Sequence, residues 1–329
     1  MNKAYKKTNT AIEGGIAYFA AIVAYLLFSL IFGLIMPAVR DNPTTTAILV
    51  FVEGVLISIS FAAVAKISQA SLQSYPLFRP EKTGRSAFFV VPIVAALCIF
   101  GFQWPALLFE EMLLTTGYTV RGLLDFNDPL TLTLSIIRVI AIAPFCEEYL
   151  MRGSVLSSLV RVTDRRGKAG NIIAAVALNG MLFALLHMNP VQTIYQFFFG
   201  CVLAFITIMY GSILPAVALH ILNNAVAVVL SIPAVSELYY SSITAFLMTW
   251  PGILVSILAP IAAGALIIAF VTRIRKAEIP DPTKVSGLND GYRKGEDDGG
   301  ALVSMLFYVS AIIITVALWI AVLIGGYAA

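Results

Sequence analysis

The chain has 329 residues, of which 60% are hydrophobic and 12% charged, and its formal net charge is +3. Its mean hydropathy of +0.92 is far above that of a soluble globular protein and indicates a polytopic membrane protein. The long apolar runs exclude a β-barrel, whose strands are about ten residues long and alternate in polarity. The scattered positive charge is also not the basic face of a nucleic-acid-binding protein.

Nine apolar segments approach or exceed the length of about 20 residues that a membrane-spanning helix needs. In chain order they are 14–36, 46–65, 87–109, 130–160, 172–187, 191–210, 212–231, 251–272 and 301–325. The segment 172–187 is short, so the sequence predicts an all-α polytopic helical bundle with about eight or nine transmembrane helices. Residues 110–128 are too polar for a span, and we expect an amphipathic interfacial segment there.

Most lysines and arginines lie in four clusters, within 3–7, 66–85, 161–168 and 273–294. If each apolar segment crosses the membrane once, all four clusters lie on one side, which the positive-inside rule identifies as the cytoplasm. We therefore expect a multi-pass protein of the cell membrane with a cytoplasmic N-terminus. The polar stretch 273–300 is predicted to be a solvated cytoplasmic linker.

Charged residues are rare inside the apolar segments because each costs about 2.5–3.5 kcal/mol at the bilayer centre. The stretch PFCEEYLMR at 144–152 nevertheless holds Glu147, Glu148 and Arg152. Glu148 and Arg152 are four residues apart, so they share a helix face and can pair. Glu147 is rotated away from that pair by about 100° and is left for another task.

Two further segments carry a histidine with a partner residue four positions away: Phe183 with His187, and His220 with Asn224. A carboxylate or an imidazole can take a proton from water, and an imidazolium or a carboxamide can stabilise an oxyanion. The set therefore suits a hydrolytic site, although a purely structural, hydrogen-bonded role for these residues stays open.

Other polar residues of the apolar segments do not belong to such a set of spaced polar groups. Glu53 and Arg138 are interpreted as structural or cavity-lining side chains. Asn179 and Asn223 are expected to form hydrogen bonds between helices.

Three motifs in this order resemble those of the CPBP family, which unites type II CAAX prenyl endopeptidases with bacteriocin-processing and self-immunity proteins. EEYLMR at 147–152 matches EExxxR, FALLH at 183–187 matches FxxxH, and HILNN at 220–224 supplies HxxxN. The sequence around 188–225 is similar to that of the bacterial branch of the family. The resemblance covers about 130–231, so the chain is divided into N-terminal helices with the interfacial segment (1–129), a catalytic helical core (130–231) and C-terminal helices with the linker (232–329).

The resemblance implies an intramembrane endopeptidase in which Glu147 and His187 activate a water. By the same analogy His220 and Asn224 form the oxyanion hole, while Glu148, Arg152 and Phe183 support the site. Two histidines and a glutamate are also a ligand set that could hold zinc. No HExxH motif is present, so a metal-free glutamate mechanism is favoured and zinc is left open.

The expected partners are a peptide or lipid-modified protein substrate and the lipid bilayer, with no nucleic acid. Whether the substrate is prenylated stays open at this point. The alternative is a non-catalytic self-immunity or partner-binding membrane protein that keeps these residues as a structural core. A secondary transporter is disfavoured because no inverted repeat is visible in the sequence.

The charge asymmetry makes a testable prediction about topology. Single cysteines placed at Lys82 and at Lys284 should resist a membrane-impermeant maleimide in intact cells and react after permeabilisation. A cysteine at Asp41, in the predicted external loop, serves as the positive control. Ready labelling of either cytoplasmic position in intact cells would refute the orientation.

Overall fold

A computed structural model describes residues 10–69, 86–119, 124–163, 169–278 and 298–328. The described residues are mostly helical and contain no β-strand, so the predicted all-α class is confirmed. The described helices of the N-terminal third are α1 (Thr10–Val39), α2 (Pro43–Gln69) and α3 (Ala87–Thr115). The described helices of the C-terminal third are α10 (Pro233–Leu247), α11 (Trp250–Glu278) and α12 (Asp298–Ala328).

The middle of the chain begins with one long helical path from 129 to 163. It consists of α4 (Pro129–Ile137), a first π segment (Arg138–Ile142), α5 (Ala143–Glu148), a second π segment (Tyr149–Val155) and α6 (Leu156–Thr163). Asp128 caps its start by accepting hydrogen bonds from the amides of Leu130 and Thr131. Three shorter helices follow: α7 (Ala169–Leu186), α8 (Thr193–Tyr210) and α9 (Leu214–Leu230).

Among the described residues, seven helices are long and apolar enough to cross a membrane, or up to eight if the bent pair α9–α10 is one span. The short apolar helix Ile172–Leu186 adds a further candidate, as the sequence predicted. Large apolar side chains such as Leu34, Phe100 and Ile173 are more than 70% exposed on the outer faces of their helices. Lipid is the solvent that tolerates such faces, and the protein is a multi-pass membrane protein.

Two expectations need correction. For the segment 110–128, the structure shows that α3 continues to Thr115 and that turns or coil occupy 116–119 and 124–128; its interfacial position stays a prediction. Helix α10 was not predicted; it bends by 88° from α9 because Ile232, which precedes Pro233, is extended. The linker at 273–300 is shorter than expected, since α11 continues to Glu278 and α12 begins at Asp298.

The basic clusters used for orientation fall largely outside the described residues, as does 279–297 of the linker. The cytoplasmic position of the N-terminus therefore stays a prediction.

The outer helices are bonded directly to the middle of the chain. The Tyr18 hydroxyl of α1 donates to the carbonyl oxygen of Leu182 in α7 at 2.8 Å. The hydroxyls of Ser68 in α2 and Ser154 in the second π segment lie 2.6 Å apart. Helix α3 stacks Phe102 on Phe198 of α8 with ring centroids 5.3 Å apart. The three N-terminal helices thus pack directly against α7, the second π segment and α8.

Candidate active site

The two adjacent glutamates lie at the end of α5, a six-residue α-helical stretch between the two π segments. The sequence predicted one uninterrupted helix here, and the structure differs in its hydrogen-bond register. π segments inside α-helices frequently mark functional sites because each shifts the helix faces that follow it. The position of Glu147 around the helix therefore depends on the backbone register as well as on residue spacing.

Asn224 of α9 bonds to the backbone of the first π segment. In a helix the Val139 carbonyl would accept from the amide of residue 143 or 144. The Ala143 amide donates to the Arg138 carbonyl instead, and Pro144 has no amide hydrogen. The Asn224 Nδ2 atom donates to the Val139 carbonyl oxygen at 2.9 Å. Asn224 thereby satisfies a carbonyl that the proline leaves without a helix donor.

Glu148 forms the fully buried centre of the site. Its Oε1 atom accepts from Arg152 Nη1 and from His220 Nδ1, each at 2.9 Å. Glu148 and Arg152 have no exposed surface, and His220 is 2% exposed. The Glu148–Arg152 pair predicted from the four-residue spacing is formed. His220, which the family resemblance had assigned to the oxyanion hole alone, bonds to the same carboxylate oxygen.

Arg152 also bonds to the neighbouring helices. Its Nη2 atom donates to the Gly200 carbonyl of α8 at 3.0 Å, and its guanidinium lies 4.4 Å from the centre of the Phe183 ring. A Cβ atom on Gly200 would lie 3.0 Å from the Gly180 Cα atom and from the Phe183 ring. Glycine at 200 therefore permits the close approach of α7 and α8 that presents this carbonyl to Arg152.

Phe183 packs between the charged groups. Its ring meets the His187 ring edge-on at a centroid distance of 4.8 Å and the His220 ring at 5.6 Å. It is fully buried. The Phe183 ring therefore contacts both imidazoles and one face of the Arg152 guanidinium.

Glu147 stands apart from this network, as the sequence predicted. Its Oε2 atom lies 3.9 Å from His187 Nε2, and the two side chains are 17% and 18% exposed. The Oε2 atom is buried and has no hydrogen-bond partner within the described part of the chain. His187 Nδ1 bonds to the Phe183 carbonyl at 2.9 Å, and because a carbonyl only accepts, Nδ1 carries the proton.

The turn after His187 contains contacts that sequence reasoning missed. Met188 has a φ of 48°, a left-handed conformation that is strained for a residue with a long side chain. The Thr193 hydroxyl donates to the Asn189 carbonyl at 2.7 Å and accepts from Trp319 Nε1 of α12, also at 2.7 Å. No signal in the sequence connects position 319 to this turn.

The two other asparagines act as predicted. Asn179 of α7 donates to the Met151 carbonyl at 3.0 Å, and Asn223 of α9 accepts from the Tyr195 hydroxyl of α8. Both hydrogen bonds join neighbouring helices.

The described residues contain no group of three or more histidine, cysteine or acidic side chains placed to hold a metal ion. Structural and catalytic zinc ions usually have at least three protein ligands.

Residues 129–226 match the family model described as type II CAAX prenyl endopeptidase, Rce1-like. This segment is an Rce1-like domain. It runs from α4 to within α9 and contains all three motifs, so the predicted CPBP resemblance is confirmed for these residues. No curated protein and no solved structure matches the chain. The Rce1-like family is a family of CAAX-type intramembrane proteases, and the match supports that general activity here.

The buried pair within the Rce1-like domain makes a prediction about stability. Replacing Glu148 by Gln strands Arg152, so the free energy of unfolding should fall by about 3–5 kcal/mol, and Arg152→Met should cause a similar loss. The double variant Glu148→Gln/Arg152→Met should be more stable than either single one because no lone charge remains. The measurement is the melting temperature of the detergent-solubilised protein.

Glu147→Gln is the matched control, since it removes the same charge one residue away from the pair. It should melt close to the wild type. If it melts early while Glu148→Gln stays stable, the roles of the two glutamates are reversed.

Proposed function

We propose that the protein is an intramembrane endopeptidase in which Glu147 and His187 activate a water that attacks a peptide bond. One observation carries the proposal: Glu147 Oε2 faces His187 Nε2 at 3.9 Å with no other partner in the described chain, while the adjacent Glu148 binds Arg152 and His220 through its Oε1 atom. A carboxylate in a mostly buried position that has no structural partner is a candidate for catalysis.

The 3.9 Å separation suits a bridging water. An oxygen atom can lie about 2.8 Å from both atoms when the two hydrogen bonds meet at a right angle. With its proton on Nδ1, a neutral His187 presents a lone pair at Nε2, and ionised Glu147 presents another. Two acceptors facing each other need a donor between them, and water supplies one hydrogen to each.

The proposed reaction is the hydrolysis of the peptide bond by this water. As the water oxygen bonds to the peptide carbonyl carbon, its proton passes to Glu147, and the carbonyl oxygen becomes an oxyanion. When the carbon–nitrogen bond breaks, Glu147 returns a proton to the leaving amine. The products are a new carboxylic acid and a free amine, and no co-reactant other than water is consumed.

His220 and Asn224 are proposed to stabilise the oxyanion. Because His220 Nδ1 bonds to Glu148, Nε2 is the ring nitrogen left for a substrate, and an imidazolium donates a hydrogen bond from it. Asn224 uses one amide hydrogen on Val139 and retains a second. Donors fixed in advance stabilise a developing charge with little reorganisation.

The substrate is proposed to be a peptide anchored in the bilayer, either a prenylated CAAX protein or another lipid-embedded chain. The apolar outer faces of the bundle let such a substrate approach laterally from lipid. The protein is proposed to act in the cell membrane with its N-terminus in the cytoplasm.

The central test is Glu147→Gln. Without its general base, the purified protein should cleave a quenched farnesylated CAAX peptide about 100-fold more slowly or not at all, with unchanged melting. The readout is single-turnover fluorescence. Glu111→Gln is the matched control, because Glu110 and Glu111 also form an adjacent pair on an apolar helix but have no arginine four residues on. Full activity in Glu147→Gln would exclude the mechanism.

A second test concerns metals. Because Glu147, His187 and His220 do not form one ligand set, most activity should survive EDTA and phenanthroline. Metal analysis of the purified protein should give less than one zinc per chain. Stoichiometric zinc that is lost together with activity, and that restores activity on re-addition, would overturn the metal-free mechanism.

A further inference from the structure

Gln196 is a half-buried glutamine close to the site that the proposed mechanism does not use. It is the fourth residue of α8 and lies in the candidate membrane span Thr193–Tyr210. Its Oε1 atom is buried and accepts no hydrogen bond from any described residue. A buried oxygen without a donor lowers stability, so packing alone does not explain a glutamine at this position.

Gln196 starts from the face of α8 that packs against the buried network. Around an α-helix, position 196 lies between positions 199 and 200, which are about one turn further along. Phe199 meets the His220 ring edge-on at a centroid distance of 5.6 Å. The Gly200 carbonyl accepts from Arg152 Nη2 at 3.0 Å. Because both flanking positions contact the network, the face between them is directed at the site.

The packing of α7 against α8 places Gln196 at the level of His187. The two helices are consecutive and run in opposite directions, with Gly200 of α8 against Gly180 and Phe183 of α7. In such a pair, four residues back along one helix correspond to four residues forward along the other. Since Gly200 lies against Phe183, position 196 lies opposite position 187.

We propose that Gln196 is a positioning residue that binds the main chain of the substrate beside the scissile bond. Its Oε1 atom accepts one of two N–H groups, that of the residue supplying the scissile carbonyl or that of the residue after the leaving nitrogen. The scissile nitrogen takes up a proton in the reaction, whereas these two groups are unchanged and can be held throughout. The inference rests on the proposed endopeptidase function and specifies how the same site holds its substrate.

The contact satisfies two polar groups at once. A peptide that leaves water for a membrane-embedded site brings main-chain N–H groups that are costly to bury without an acceptor. Gln196 offers an acceptor for which the described chain supplies no donor. A carboxamide is uncharged, so it holds the peptide without adding a charge beside Glu147. Because nearly every residue has a main-chain N–H, Gln196 positions the bond without selecting a side chain.

The test is an ester scan of a labelled, farnesylated CAAX peptide. A set of analogues replaces each main-chain N–H of the CAAX segment in turn by an ester oxygen, which removes the donor and nearly keeps the shape. Fluorescence anisotropy gives their Kd for the full-length Glu147→Gln protein in nanodiscs, where cleavage does not disturb binding. Mass spectrometry with the wild type locates the cleaved bond. One ester next to that bond should bind about five- to tenfold more weakly than the parent peptide.

Variants of Gln196 show whether this loss belongs to its side chain. Added Gln196→Met should weaken binding of the parent peptide and abolish the ester penalty, because methionine has no oxygen to accept the N–H. Added Gln196→Glu keeps an acceptor oxygen at the same distance from the backbone and should retain part of the penalty. The matched control is Gln103→Met, which replaces a half-buried glutamine of α3 and should leave the penalty unchanged.

Melting temperatures separate positioning from a structural role. Gln196→Met removes a buried oxygen that has no described donor, so this variant should melt at or above the wild type. A lower melting temperature with an unchanged ester penalty would assign Gln196 to the structure and overturn the proposal. Slower cleavage of every peptide by Gln196→Met with unchanged Kd values would assign it to the water and also overturn it. Equal binding of all esters with Gln196 intact overturns it however the variants fold.

The same measurements separate this inference from the proposed chemistry. Cleavage that requires Glu147, together with an ester scan in which no penalty depends on Gln196, sinks the inference and leaves the endopeptidase intact. A penalty that depends on Gln196, without cleavage of any peptide by the wild type, retains the main-chain contact and rejects the endopeptidase.

Discussion

The burial of one carboxylate, Glu148, determines the arrangement of the whole site. A carboxylate removed from water costs several kcal/mol unless charges and hydrogen bonds surround it. Arg152 and His220 both bond to its Oε1 atom, and Arg152 continues to the Gly200 carbonyl. One ion therefore connects the second π segment, α9 and α8. The neighbouring Glu147 lies outside this network, with its Oε2 atom 3.9 Å from His187 Nε2.

The backbone contributes to the site through its two π segments. Each inserts a wide turn into the path from 129 to 163, so the glutamates occupy a short α-helical stretch whose faces are offset from those of α4 and α6. Pro144 removes an amide donor from this stretch, and Asn224 supplies a side-chain donor to Val139 in return. Asn224, which the family resemblance assigns to the oxyanion hole, is therefore also held in place by its hydrogen bond to the Val139 carbonyl. Its orientation and the register of the first π segment depend on each other.

Sequence reasoning identified the parts of the site that are encoded locally. Spacing alone placed Glu148 and Arg152 on one face and Glu147 off it, and hydropathy located nine of the described helical paths to within a few residues at most ends. It could not show that His220 bonds to Glu148, because 72 residues separate them and only tertiary packing joins them. The π segments were missed because no residue pattern specifies them. The helix α10 was missed because its polar residues interrupt the apolar run after the Pro233 bend.

The Rce1-like match ends before α10 and begins after α3, yet contacts from outside it complete the site. Trp319 of α12 holds Thr193 at the turn that follows His187, and Tyr18 of α1 holds the carbonyl of Leu182, close before Phe183. Gly54 of α2 leaves the space that Arg138 occupies. The matched segment carries the groups proposed for chemistry, whereas the flanking helices set the position of the His187 turn and the surroundings of Arg138. The position of the turn after His187 therefore depends on helices that the family motifs do not describe.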